Sequence, residues 1–133
     1  MIKTIDVKTN RREEMVDVTS QVRDVLRASG HKNGMLMCFV THTTAAVTIN
    51  ENADPSVTRD IIYKLNKEIP QQEGYHHSEG NSDAHIKSSL VGASEHVLFE
   101  DGNLILGTWQ GLYFCEFDGP RQRRMLVKII PSD

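Results

Sequence analysis

The alternation of apolar and polar side chains divides most of the chain into elements. "MIKTIDVKT" (residues 1–9) alternates and predicts a first strand, and "EMVDV" (14–18) a second. Thr19 or Ser20 then caps a short helix whose Val22, Val25 and Leu26 share one face, with Gly30 at its end. "GMLMCFVTH" (34–42) is apolar on both parities from Met35 to Val40, the pattern of a strand covered on both faces and central in a sheet. "TAAVTINE" (44–51) again has strand character.

A helix follows, with Asp54 as N-cap and Pro55 at its first position; Val57, Ile61, Ile62, Leu65 and Ile69 form one stripe, and Pro70 stops it. From Gln71 to Asp83 there is no periodicity, and compact proteins seldom keep a loop of that length without a use for it. "DAHIKSSLVG" predicts a short helix that starts at Ser82 or Asp83 and ends at Gly92. The remainder is strand and turn: "HVLFE", the turn "DGN", the long run "LILGTWQGLYFCEF", the turn "DGPRQR" and "RMLVKII". Two to three short helices among many strands with short turns predict an α+β fold with a largely antiparallel or mixed sheet, in a single domain over residues 1–133.

Composition narrows the function classes. With 38% hydrophobic and 25% charged residues the chain reads as globular, and a net charge of −3 argues against a general nucleic-acid or membrane binder. The absence of a long apolar run or a leader-like start gives the expectation of a soluble, cytoplasmic protein. Cys38 and Cys115 lie inside apolar runs and read as buried thiols rather than a disulfide or metal pair.

Three of the six histidines fall within "HHSEGNSDAH" (76–85), a stretch with almost nothing apolar. His77 and His85 bracket the loop, and His42 ends the buried strand on the parity of Leu36, Cys38 and Val40. A strand end, a loop and a helix start can converge, and three imidazoles around one point form an open site for zinc or a similar divalent ion. A polar surface loop that happens to hold histidines is the alternative. His31 and His96 are expected to face solvent, and His76 and His77 point opposite ways in an extended segment.

Thr43 and Thr44 offer hydroxyls beside His42, and Glu51 could serve as a general base or orient an imidazole at the same end of the sheet. They read equally as strand-favouring threonines and a solvated acid. Asn81 and Asp83, where the loop meets the helix, are candidate substrate contacts. Trp109, between Gly107 and Gly111, could wall a flat ligand or fill a core. Arg121, Arg123 and Arg124 at one turn could clamp a phosphate or carboxylate, or stay solvated.

"HTTAAVTINENADP", "YHHSEGNSDAHIKSSLVG" and "GNLILGTWQGLYFCEFDGPRQRR", in that order, resemble the YjbQ-like family, also labelled secondary thiamine-phosphate synthase. The resemblance extends over nearly the whole chain. It implies an α+β homotrimer, with family histidines at His42, His77 and His85, further family positions at Glu51, Trp109 and Gln110, and an arginine turn matched by Arg121 and Arg124. The implied activity joins a phosphorylated thiazole to a pyrimidine carrying pyrophosphate. A cation on the histidines would neutralise the leaving group, Arg121 and Arg124 would hold phosphate oxygens, and Trp109 would pack on a ring. Three imidazoles favour a zinc-like ion, whereas pyrophosphate chemistry usually employs magnesium on carboxylates. Metal-assisted hydrolysis of a phosphorylated metabolite fits the same ligands, and a non-catalytic trimer binding a metal or anion is a third reading.

Overall fold

The computed structural model describes residues 1–133. Its strands are β1 (Ile2–Lys8), β2 (Glu14–Asp17), β3 (Gly34–Val40), β4 (Ala45–Glu51), β5 (Ser94–Glu100), β6 (Asn103–Leu104), β7 (Gln110–Glu116) and β8 (Gln122–Pro131). The helices are α1 (Thr19–Ser29), α2 (Pro55–Glu68) and α3 (Ser82–Val91). All strand pairs are antiparallel. They form a five-stranded sheet in the order β1-β8-β3-β5-β6 and a three-stranded sheet in the order β2-β7-β4. The α+β expectation holds, with the strands divided between two sheets.

The main core fills the space between the sheets and under α1. Leu36, Cys38 and Val40 of β3, Val97 and Phe99 of β5, and Met125 and Val127 of β8 meet Ala45, Val47, Leu112 and Phe114, with Val22 and Leu26 from α1. A smaller cluster on the other side of β7 joins Ala46, Tyr113, Cys115 and Phe117 to Ala84 of α3. The strand covered on both faces is therefore β7, buried from Gly111 to Glu116, and not β3 as its composition suggests. On β3 the second parity (Met35, Met37 and Phe39) faces outward beside Leu98, Leu126 and Ile130. Phe39 remains 43% exposed and Leu98 61%. One face of the five-stranded sheet thus carries exposed apolar side chains uncovered by its own chain, interspersed with His96 and Lys128 opposite Met37.

Local departures have local causes. α1 starts with Val18 in the cap position and no side-chain cap from Thr19 or Ser20. Instead the Asp17 carboxylate accepts from the Thr19 amide at 2.9 Å and its hydroxyl at 2.5 Å, while Thr19 Oγ1 accepts the Leu112 amide. The Thr19 hydroxyl is thereby spent on sheet contact. Gly30 closes the helix at φ 74°, the left-handed conformation expected of a C-terminal glycine. Asp54 caps α2 by accepting from the Ser56 amide at 2.9 Å, as its sequence predicts.

The run from Leu104 to Phe117 is broken, because the chain leaves the larger sheet after β6 and enters the smaller one at β7. Gln110 makes that reversal: its Oε1 accepts the Gly107 amide at 2.8 Å, and its own amide donates to the Gly107 carbonyl at 3.0 Å. Gly111 answers to close approach, since a Cβ there would lie 2.5 Å from the side-chain nitrogen (Nδ2) of Asn52.

Candidate functional site

The start of β4, the end of the long loop and one face of α3 meet at the histidines. His42 lies in the short link between β3 and β4, and His85 in the second turn of α3. Both line a cavity of about 500 Å³ together with Thr43, Ser88 and Ser89. His77, from the loop, stands edge to face with His85, their ring centroids 5.7 Å apart. Those two rings, with His76 and Tyr75, line a second surface cavity of about 480 Å³. His85 is the common member, and His42 and His77 sit on its two sides. The expected gathering of three imidazoles around one point is therefore incomplete, and no three His, Cys, Asp or Glu side chains converge as metal ligands within the chain.

His42 shows why. The Arg124 amide donates to its Nε2 at 3.1 Å, so Nε2 accepts and a neutral ring carries its proton on Nδ1. Burial, and next the positive charge of Arg123, push the His42 pKa below the usual imidazole value, against a smaller opposing effect of Glu116. The ring is thus neutral at pH 7, and the nitrogen that would have ligated is engaged by backbone. As arranged, the two imidazoles whose rings lie together are His85 and His77, the latter with its Nε2 3.8 Å from Glu79 Oε2, and their chemistry suits a zinc-type ion.

Beneath this surface lie two charged networks. Arg123 projects on the parity of Met125 and Val127, into the core, and its fork engages both oxygens of the fully buried Glu116. Arg123 also donates to Thr44 Oγ1 at 2.9 Å, and Thr9 Oγ1 donates to Glu116 at 2.7 Å. Burial alone would raise the Glu116 pKa, but the bonds from Arg123, Thr9 and the Asp118 amide outweigh it and hold the carboxylate below its ordinary range. In the second network Arg12 donates to both Asp83 oxygens at 3.1 and 2.9 Å. Lys87 donates to Asp83 at 2.8 Å and to Asn66 of α2 at 2.6 Å. These bonds outweigh burial and keep Asp83 depressed as well. They fix α3, and so His85, to α2 and to the loop after β1.

Several expected site residues take other places. Glu51 ends β4, six residues from Ala45, so roughly 20 Å of strand separates it from His42; it cannot act at that end within one chain. Its neighbours there are Gln110, its register partner, and Trp109, whose carbonyl accepts the Asn52 amide. Trp109 is not a core residue: it is 61% exposed. Gln110 spends its side chain on the turn at Gly107.

Asp83 is inaccessible behind Arg12 and Lys87, and Thr44 is occupied by Arg123, so neither is open to a substrate; Thr43 is. Asn81 donates its amide to Asp118, leaving its buried Oδ1 without a partner in the chain. Arg121 is held by Asp118 through two bonds at 2.9 and 3.1 Å, while Arg124 faces outward on β8. The arginine turn is thus three differently employed side chains rather than a loose clamp. His31 and His96 are exposed as expected, and Cys38 and Cys115 are free, buried thiols with pKa values pushed by burial to about 12.

Comparison with known proteins gives one consistent match. The family model described as UPF0047 protein YjbQ-like matches residues 3–132. The UPF0047 protein MJ1081 of Methanocaldococcus jannaschii is 54% identical over 130 residues, covering 98% of this chain and 94% of that protein. The UPF0047 protein YugU of Bacillus subtilis is 50% identical over 131 residues, covering 98% and 99%. Among solved structures, an uncharacterized conserved YjbQ/UPF0047-family protein from Clostridium acetobutylicum superposes with a TM-score of 0.95 at 52% identity, covering 96% of this chain and 99% of that one. A protein of unknown function from Sulfolobus solfataricus superposes equally well, TM-score 0.95, at 34% identity over 99% and 97% of the two chains.

Proposed function

The chain belongs to the YjbQ-like UPF0047 family, and from that premise we propose that it is an enzyme acting on a phosphorylated small molecule at the His42–His85 cavity. One observation carries this reading. The cavity is lined by two imidazoles and the hydroxyls of Thr43, Ser88 and Ser89 with no carboxylate among them, and the paired Arg123 and Glu116 lie behind it. Such a lining suits an anion and rejects a cation-rich ligand. The finer reading is the pyrophosphate-displacing transfer that yields thiamine phosphate, cytoplasmic in location.

In this account the neutral His42 holds a phosphate oxygen through its free Nδ1–H, and Thr43 adds a second donor. Arg124 fixes the His42 ring through its backbone, and Glu116 fixes Arg123, which in turn holds Thr44 beside the site. The ion of this proposal is zinc-like, and His77 and His85 would hold it; when bound it would offset charge on the leaving pyrophosphate. His42 would join it only by releasing the Arg124 amide.

The proposal includes a homotrimer. Its support is the uncovered face of the five-stranded sheet, where Phe39, Leu98, Leu126 and Ile130 stand together. Exposed apolar side chains grouped on one face suit an association surface, and self-burial would account for a β3 that is apolar on both parities. A non-catalytic, anion-binding trimer is the second reading; it draws on the distance of Glu51, the candidate base, from His42.

The test is growth of a thiamine-phosphate-synthase-deficient strain, together with turnover of a panel of phosphate and pyrophosphate esters by the purified protein. The enzymatic account expects His85→Ala to lose at least about a hundredfold in kcat/KM, with its fold intact. Full activity in His85→Ala contradicts the site, and no turnover by the wild type favours the binding reading.

A further inference from the structure

One buried side-chain hydroxyl in this cavity has no hydrogen-bond partner. Ser88 lies in the third turn of α3, one turn after His85 and on the same helical face, and it lines the cavity. It is only 7% exposed. Its Oγ is buried and has no hydrogen-bond partner in the chain. A helical serine usually returns its proton to the carbonyl a turn earlier, as the adjacent Ser89 does by donating to the His85 carbonyl at 2.9 Å. Ser88 makes no such bond. A buried hydroxyl without a partner destabilises the fold that contains it, so folds rarely retain one without a use.

The surroundings state what the hydroxyl can meet. Across the cavity stands His42, held as its Nδ1–H tautomer by Arg124. Thr43 contributes a hydroxyl, no carboxylate lines the space, and the guanidinium of Arg123 lies behind Thr44. Donors therefore converge from α3 and from the 42–44 segment on one volume, with the buried Arg123–Glu116 ion pair behind it. We infer that Ser88 is a binding residue whose hydroxyl donates to an oxygen of a tetrahedral oxyanion, the phosphate group of the substrate, seated between α3 and the His42 segment. This deepens the function proposed above and rests on that reading of the cavity.

The hydroxyl is thus a group the unliganded fold tolerates for the sake of the ligand, which gives it an unusual mutational signature. Removing a structural hydroxyl lowers stability, whereas removing an unpartnered one does not. The experiment measures thermal unfolding and, by titration calorimetry, affinity for inorganic phosphate, on the wild type, Ser88→Ala and His85→Ala at one protein concentration. The expected result is that Ser88→Ala melts at or above the wild-type temperature without phosphate, yet binds phosphate about tenfold or more weakly. A lowered melting temperature for Ser88→Ala assigns the hydroxyl to structure and overturns the inference. Unchanged phosphate affinity in Ser88→Ala, with His85→Ala weakened, also overturns it but leaves the proposed site standing. Unchanged affinity in both variants, or no phosphate binding by the wild type, removes the site reading together with the inference.

Discussion

Replacing Asp83 by alanine separates the structural account of that residue most sharply from the one its sequence position suggests. Asp83 has no exposed surface and accepts three hydrogen bonds, two from Arg12 and one from Lys87. Arg12 is partly exposed and can turn to water when its partner is removed. Lys87 is 1% exposed, and without Asp83 its ammonium keeps only the Asn66 carbonyl oxygen. An ammonium buried with its counter-charge removed costs roughly 3–5 kcal/mol.

At roughly 2.1 cal/mol/K per residue, 133 residues unfold with an entropy near 0.28 kcal/mol/K, so the expected drop in Tm is about 10–18 °C. Differential scanning calorimetry at fixed protein concentration reads this directly, since any self-association makes Tm concentration-dependent. The double variant Asp83→Leu/Lys87→Met removes both charges and should recover at least half of the loss. A Tm for Asp83→Ala within about 3 °C of wild type refutes the clamp. If activity fell at the same time, Asp83 would be a substrate contact after all.

Three further predictions rest on other parts of the molecule. Asp83 and Glu116 are both held below their ordinary values near 4, so the native state binds fewer protons than the unfolded chain as acid is added. Their contribution is complete above the unfolded values and is lost as pH falls through the depressed ones; denaturant midpoints should be flat from about pH 6 down to pH 5 in this respect and decline below pH 4. Cys38 and Cys115, buried and with pKa values near 12, should give no thiol titre with a chromogenic disulfide at pH 8 until the protein is unfolded, when two thiols appear. Leu98→Glu puts a charge on the uncovered face and, if the proposed trimer forms through it, should reduce the light-scattering mass from three chains to one; an unchanged mass of three chains would move the interface elsewhere.

The elements were legible because each carries its own periodicity, and Asp54–Pro55 and Gly30 punctuate theirs by local chemistry. Which sheet a strand joins was not, because that is decided by contacts distant in sequence. β3 and β7 are both apolar on two parities, yet only β7 is sandwiched within the chain. The site residues divide in the same way. His77 and His85 are eight residues apart and meet through a loop whose ends are tied by Tyr75 to Pro70 and by Gln71 to Gly80. Glu51 lies away from His42 within the chain because β4 runs from one to the other, a distance that residue type alone does not convey.

The buried charges left a readable signal. Glu116 shares parity with Leu112 and Phe114, Arg123 with Met125 and Val127, and Asp83 and Lys87 are four apart on one helix. Charges in phase with a core must pair, and that rule would have found both networks. Ser88 left no such trace, since its distinction is a bond it does not make.

The central claim, that the histidines at the end of the long loop form an ion-assisted anion site, is tested most directly by anomalous X-ray scattering at the zinc edge from crystals grown with zinc and phosphate. The account predicts a zinc peak at roughly 2.0–2.2 Å from a nitrogen of both His77 and His85, with phosphate density on the His42 and Ser88 side of His85. Zinc bound elsewhere with the His85 ring bare, or phosphate held only at surface arginines, would contradict it.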